Sequence, residues 1–234
     1  MSLNINSISV VLPAFNEEEN IGYTIQNCVD YMQVNNYDYE VIVVNDGSSD
    51  NTKDIVQKAK TDNSNVVLVD HDINKGYGAA LRSGFESAQK DYVFLMDSDR
   101  QFNIEDIEKL FLYLDEQTVV VGYRQNRADP VIRKINAYLF HIYIKLMFGL
   151  NLRDIDCAFK VFPTQAYQQI KPIISDGALF STEFIIRLLN KGYGIKEIAV
   201  NHYPRLKGSQ SGANISVILK MFAESWNLRK ILNS

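Results

Sequence analysis

Short apolar runs rich in β-branched residues alternate with segments of helical periodicity through the first half of the chain, and this alternation restricts the fold more than any other feature. The runs are Ile8 to Pro13, Tyr39 to Val44, Asn65 to Val69, Tyr92 to Met96 and Thr118 to Tyr123. The helical segments between them are Asn20 to Met32, Thr52 to Lys60, Ala79 to Ala88 and Ile104 to Leu114. Ser48, Ser49 and Asp50 offer cap oxygens ahead of the second helix. Strands that are apolar along their whole length are buried on both faces, so the pattern predicts an α/β fold with a mostly parallel sheet flanked by helices. A chain of 234 residues, 46% of them hydrophobic, can build one substantial core, which predicts a single domain over residues 1–234.

The second half is less regular. Ile132 to Phe148 reads as a long helix, Cys157 to Phe162 as a strand, Phe180 to Leu189 as a helix, Ile195 to Tyr203 as a strand and Ile215 to Leu232 as a terminal helix. The small polar stretch Lys207 to Gly212 is expected to be mobile. No apolar stretch reaches the ~20 residues that cross a bilayer, Ile135 to Leu150 coming nearest. The first residues lack a basic stretch followed by an apolar run, so no signal peptide is expected and the chain is expected in the cytoplasm. A net charge of -4 gives no basic surface for DNA or RNA, so an anionic ligand has to be held locally. Cys28 and Cys157 match no metal or redox spacing and read as buried thiols.

Ligands of open α/β sheets bind beyond the carboxyl ends of the strands. Three polar clusters fall there: Pro13-Ala14-Phe15-Asn16-Glu17-Glu18-Glu19-Asn20, Asn45-Asp46-Gly47-Ser48-Ser49-Asp50, and Asp97-Ser98-Asp99-Arg100-Gln101. The first two are also what an ordinary helix start and a capped turn look like. The third is harder to dismiss. Two aspartates with one residue between them, directly after the apolar run Tyr92 to Met96, crowd like charges where the fold becomes buried. A hard divalent cation, Mg²⁺ or Mn²⁺, relieves that repulsion.

These clusters, taken in order with Gly76-Tyr77-Gly78-Ala79-Ala80, resemble glycosyltransferase family 2, and the likeness covers almost the whole chain. Asp154-Ile155-Asp156-Cys157-Ala158-Phe159-Lys160 and His202-Tyr203-Pro204-Arg205 narrow it to a group similar to dolichyl-phosphate mannose synthases and bacterial polyprenyl-phosphate glycosyltransferases. The resemblance implies a GT-A, Rossmann-like fold and an inverting, metal-dependent glycosyltransferase. Its donor would be a nucleoside-diphosphate sugar, GDP-mannose or a UDP-sugar, and its acceptor a polyprenyl or dolichyl phosphate. By motif, Pro13, Phe15 and Glu17 would border the nucleoside and Asp46 contact the base. Asp97 would close the nucleotide pocket, and Asp97, Asp99 and Gln101 would form the Mg²⁺ or Mn²⁺ site. Two positions depart from the family pattern: Arg100 stands where a small apolar residue is usual, and Asn45 where Asp is frequent. Arg100 either steers diphosphate or points outward.

A phosphate-monoester acceptor, with a second pKa of about 6, is already an anionic nucleophile and needs no general base. A hydroxyl acceptor needs one, frequently a Glu-Asp pair in the second half. No such pair occurs there, although Asp154, Asp156 and Glu183 could substitute. The alternative reading is therefore a family 2 enzyme that extends a glycan or glycolipid hydroxyl. Arg124, Arg133 and Arg205 are candidate phosphate clamps, Arg205 foremost by its motif, whereas Arg127 and Lys134 read as surface charges and His202 as structural. The segment 132–150 reads either as a buried helix or as an interfacial one that rests on a membrane with Arg133, Lys134 and Lys145 near head groups. The C-terminal helix 213–234 offers a second contact. A dinucleotide-binding dehydrogenase is disfavoured, because the first strand runs into Pro13 to Glu19 without a glycine fingerprint.

Overall fold

The computed structural model describes residues 5–125, 131–177, 179–207 and 224–231, the side chains of 131–137 excepted. In chain order the elements are β1 (Ser7–Ala14), α1 (Ile21–Val34), β2 (Asp38–Asp46), α2 (Thr52–Asp62), β3 (Val66–His71), α3 (Tyr77–Ser87) and β4 (Tyr92–Met96). A 3-10 turn, Ile104–Asp106, leads into α4 (Ile107–Phe111), followed by β5 (Thr118–Gln125), α5 (Val131–Phe148), β6 (Phe159–Pro163), α6 (Thr164–Ile170), α7 (Phe180–Asn190) and β7 (Gly194–Asn201). Residues 224–231 are helical.

The strands form one seven-stranded sheet in the order β3-β2-β1-β4-β6-β5-β7. Neighbouring pairs are parallel except those made by β6, which runs antiparallel to both β4 and β5. Side chains alternate across the pleat, and both faces are covered. Val11, Ile42, Val44, Val93, Leu95 and Phe162 pack under α3, α6 and α7, where Phe85 meets Phe162 edge-on at 5.1 Å. Val10, Leu12, Val41, Val43, Phe94 and Met96 face α1 and α4. Burial on two sides is why the strand sequences read as continuous apolar runs rather than alternating ones.

Strand β6 starts at Phe159 rather than Cys157 and β7 ends at Asn201 rather than Tyr203, and other differences have identifiable reasons. The helix expected over Ile104 to Leu114 is a 3-10 turn and one short helix: the Asn103 side chain caps Glu105 N–H at 3.2 Å, and Asp106 is drawn to the Asn201 N–H of β7 at 3.0 Å. Helix α3 starts two residues earlier than periodicity suggests, because the carbonyl of Asp176 accepts from Gly78 N–H at 2.8 Å and Ala79 N–H at 3.3 Å. Helix α6 was not expected, since its polar Thr164-Gln165-Ala166-Tyr167-Gln168-Gln169-Ile170 shows only a short apolar stripe. Of the stretch 207–212 only Lys207 is described, and of the expected terminal helix only 224–231.

Candidate active site

The carboxyl ends of β1, β2 and β4 meet at one height. Ala14 pairs with Asn45, and Val11 with Leu95, two residues before Asp97. The loops beyond β1 and β2 are stitched together: Asn16 N–H donates to Ser48 Oγ at 3.0 Å, Ser49 N–H to Asn16 Oδ1 at 2.8 Å and Glu17 N–H to Thr52 Oγ1 at 2.8 Å. Asn16 holds φ 55°, a left-handed conformation that asparagine tolerates better than most residues. Pro13 closes the strand with its carbonyl accepting from Ser98 Oγ at 2.7 Å, which ties β1 to the loop after β4. Phe15, beside it, is 37% exposed on the crest.

Asp46, expected to contact the base, is buried at the end of β2. Its carboxylate accepts from Lys75 N–H and Gly76 N–H, both at 2.9 Å, and meets His71 Nδ1 at 2.7 Å, while His71 Nε2 meets Ser83 Oγ at 2.8 Å. It therefore holds the turn ahead of α3. Gly47 is required where that turn closes: φ is +66°, and an added Cβ would stand 2.3 Å from the Ile73 carbonyl carbon. Asn45 bonds Asp70 at 2.7 Å, so the amide that replaces the usual aspartate is satisfied within the protein.

The structure brings Glu17, Asp97, Asp99, Gln101 and Arg205 to one place. Arg205 donates to Glu17 Oε1 at 2.5 Å and to Asp99 Oδ2 at 3.3 Å, spanning the first and third clusters. Its Nε donates to the Lys207 carbonyl at 2.8 Å, and Asn20 supports Glu17 at 2.8 Å. Gln101 is pinned in two directions, its Nε2 donating to the Tyr203 carbonyl and its own carbonyl accepting from Tyr203 N–H, both at 2.9 Å. That places the segment carrying Arg205 beside the aspartates. Asp97 accepts from the Tyr77 hydroxyl at 3.2 Å.

The other cations separate. Arg100, at φ 64°, lays its guanidinium over the Tyr23 ring at 3.9 Å, so a side chain left open between diphosphate and solvent is packed on α1. Arg124 forms a two-pronged bond with Asp154 at 2.6 and 2.7 Å, which engages both a candidate clamp and a candidate base. The Arg133 and Lys134 side chains and Arg127 lie outside the described residues. Glu183 is fully buried, accepting from Ile174 N–H, Ser175 N–H, Ser175 Oγ and Arg187 Nε, which makes it a structural anchor. Asp156 is the exposed member of the three candidate bases. His202 is buried edge-on against Phe102 at 5.3 Å, in keeping with a structural role.

Sequence reasoning missed Lys160. It pairs with Leu95 in the sheet, is buried, donates to the Cys157 carbonyl, and is held below the usual lysine pKa by burial. A lone lysine inside the apolar strand Phe159-Lys160-Val161-Phe162 was the available signal.

Burial, and then the Asp99 carboxylate, push Asp97 up to about 7, and burial raises Asp99 as well. An acid raised on folding destabilises the native state progressively between its unfolded pKa, about 4, and its folded one. Asp97→Asn in the presence of chelator should therefore raise the melting temperature by ~3–6 °C at pH 8, with the gain shrinking toward pH 5. Equal gains at both pH values would remove the repulsion argument. This donor set fits a hard divalent cation: two crowded carboxylates whose charge is met only in part by Arg205. Among the described residues no cluster of three His, Cys, Asp or Glu side chains completes a protein cage, so further ligands would be donor phosphates and water, as Mg²⁺ commonly takes them.

Comparison with known proteins points the same way. The model of the family described as Glycosyl transferase family 2 matches residues 9–171. The undecaprenyl-phosphate 4-deoxy-4-formamido-L-arabinose transferase of Pseudomonas fluorescens (strain SBW25) is 30% identical over 228 residues, covering 93% of this chain and 63% of that protein. The dolichyl-phosphate beta-glucosyltransferase ALG5A of Trichomonas vaginalis is 28% identical over 177 residues, covering 70% of this chain and 55% of that protein. The chain thus spans less than two thirds of either relative. Among solved structures, the glucosyl-3-phosphoglycerate synthase of Mycobacterium tuberculosis in complex with Mn²⁺ and UDP-glucose superposes with a TM-score of 0.70 at 18% identity, over 96% of this chain and 79% of that one. The mannosyl-3-phosphoglycerate synthase of Rubrobacter xylanophilus gives 0.71 at 16% identity, over 96% and 74%. Identities this low establish a shared fold.

Proposed function

Because the chain belongs to glycosyltransferase family 2, we propose that it transfers a sugar from a nucleoside-diphosphate donor to a polyprenyl or dolichyl phosphate at a membrane surface, with inversion at the anomeric carbon. One observation carries the reading: Asp97, Asp99, Glu17 and Arg205 converge on the strand crest, where α/β sheets bind nucleotides. Asp97 and Asp99 would hold Mg²⁺ or Mn²⁺ beside the buried Gln101, and the ion, when bound, supplies positive charge to the departing diphosphate. Pro13, Phe15 and Glu17 border the nucleoside; Asp46 acts through the turn it holds. The 203–207 segment carries Arg205 to Glu17 and Asp99, where its planar guanidinium would suit the acceptor's phosphate oxygens. That acceptor enters as an anion, so no proton has to be removed. The engagement of Asp154 by Arg124 and the burial of Glu183 are consistent with this, since both make poor bases.

The test is a donor screen: purified protein with GDP- and UDP-sugars, Mn²⁺ or Mg²⁺ and a short polyprenyl phosphate, following nucleoside diphosphate release and the anomeric form of the product. Release that depends on the lipid phosphate is expected. Consumption of a hydroxyl acceptor in its place, together with loss of activity in Asp156→Asn, would establish the alternative reading.

Helix α5 is the proposed contact with the membrane. One face is core, with Ile144 buried and Phe140, Tyr143 and Phe148 packed against the same cluster. The other exposes Tyr138 at 65%, Leu139 at 57%, Ile142 at 36% and Leu146 at 78%. The helix at 224–231 adjoins it through Tyr143 and Ser225, and adds Trp226 at 60% exposure. No helix among the described residues is long and apolar enough to cross a membrane. An apolar stripe flanked by Lys145, Arg229 and Lys230 suits a head-group boundary. Leu139→Glu with Leu146→Glu should weaken co-sedimentation with anionic vesicles ~10-fold without lowering the melting temperature. Unchanged sedimentation would discard this face.

A further inference from the structure

The fold holds Tyr77 with unusual care. It is the first residue of α3, and its hydroxyl donates to Asp97 Oδ1 at 3.2 Å. The backbone on both sides is fixed. Gly76 N–H is held by Asp46 Oδ2 at 2.9 Å, and Asp46 in turn by His71. Gly78 N–H is held by the Asp176 carbonyl at 2.8 Å, and a Cβ at Gly78 would stand 2.7 Å from the Asp176 carbonyl carbon and 2.9 Å from Phe180 Cβ. A residue gripped this tightly nonetheless leaves 41% of its surface exposed on the crest. A phenol ionises only near pH 10, so its hydroxyl is a donor at neutral pH.

A carboxylate rotates readily about its last torsion, and the two oxygens are equivalent until something distinguishes them. A phenol hydrogen bond to Oδ1 makes that distinction. We propose that Tyr77 is a positioning residue for the transfer reaction: its hydroxyl fixes the Asp97 carboxylate through Oδ1 so that Oδ2 is the oxygen presented to the sugar-nucleotide donor. This rests on the donor reading given under Proposed function. It also gives Asp46 a purpose, since the turn held by Asp46 and His71 sets where the Tyr77 ring begins.

The test is a double-variant cycle read by calorimetric titration with UDP and with GDP in the presence of MnCl₂. Tyr77→Phe keeps the ring and should lose ~10-fold in affinity, the worth of one hydrogen bond, with an unchanged melting temperature. Asp97→Asn should lose more. The double variant should match Asp97→Asn alone, because a hydroxyl that works through Asp97 has nothing left to orient. In turnover, Tyr77→Phe should raise the donor KM by a similar factor and leave kcat within about 3-fold. Additive losses in the double variant, or wild-type titration by Tyr77→Phe, overturn the inference while leaving the donor reading intact. Wild-type protein that takes up neither nucleotide overturns the donor reading, and the inference with it.

Discussion

Asp99→Ala should lower turnover by about a thousandfold or more in a protein that melts as a folded chain. The size follows from the kind of work assigned to this carboxylate: stabilising charge that develops in the transition state inside a partly buried site accounts for several kcal/mol, and ~4 kcal/mol is already close to a thousandfold. The intact fold follows from the geometry. Among the described residues Asp99 accepts from Gln101 N–H at 3.1 Å and Arg205 at 3.3 Å, and Arg205 keeps its 2.5 Å bond to Glu17 when Asp99 is gone. Removing one of two crowded carboxylates also relieves the repulsion that, after burial, raises Asp97. The variant should therefore lose Mn²⁺-dependent nucleotide binding in a titration and melt at or above the wild-type temperature in chelator. Near-normal turnover, or an unchanged Mn²⁺ titration, would remove Asp99 from the metal site.

Much of this arrangement was legible in the residues, for an identifiable reason. Strands β1, β2 and β4 are buried almost along their whole length, so their composition announces them, and the rule that ligands gather beyond strand carboxyl ends picks out the loops at Phe15, Gly47 and Asp97 without any contact being known. What stayed hidden depended on partners far apart in sequence. The bond from Arg205 to Glu17 and Asp99 needs the chain to insert β6 antiparallel between β4 and β5 and to run β7 alongside β5, and periodicity carries no such instruction. Asp46, expected at the base, also makes bonds within the protein that its place at the end of β2 does not announce. It turns toward the protein because His71 ends β3 directly opposite it, a register set by strand pairing. Arg124 looked like a free clamp until the loop after α5 delivered Asp154 to it. Helix α5 looked either buried or interfacial, and the structure gives it one buried face and one exposed apolar face.

Arg205→Ala should separate two quantities that usually fall together: turnover should drop by roughly a hundredfold, ~2–3 kcal/mol of lost phosphate contact, while affinity for Mn²⁺ rises. Arg205 is a counter-charge of the crest, bonded to Glu17 at 2.5 Å and to Asp99 at 3.3 Å, with its side chain 12% exposed. A guanidinium beside Asp99 and a divalent cation on Asp99 repel each other at short range, where screening by water is weakest. Deleting the guanidinium leaves Glu17 and Asp99 short of positive charge, so a metal ion is held more tightly, and the metal-free protein is the less stable of the two forms. Arg205→Lys tests charge against shape. An ammonium can neutralise the same carboxylates but cannot present two parallel N–H groups to a phosphate, so it should restore wild-type Mn²⁺ affinity and recover only part of the turnover. If Arg205→Ala instead weakened Mn²⁺ binding in step with turnover, Arg205 would be a support for the aspartates rather than their competitor. Unchanged kinetics would take it out of the reaction altogether.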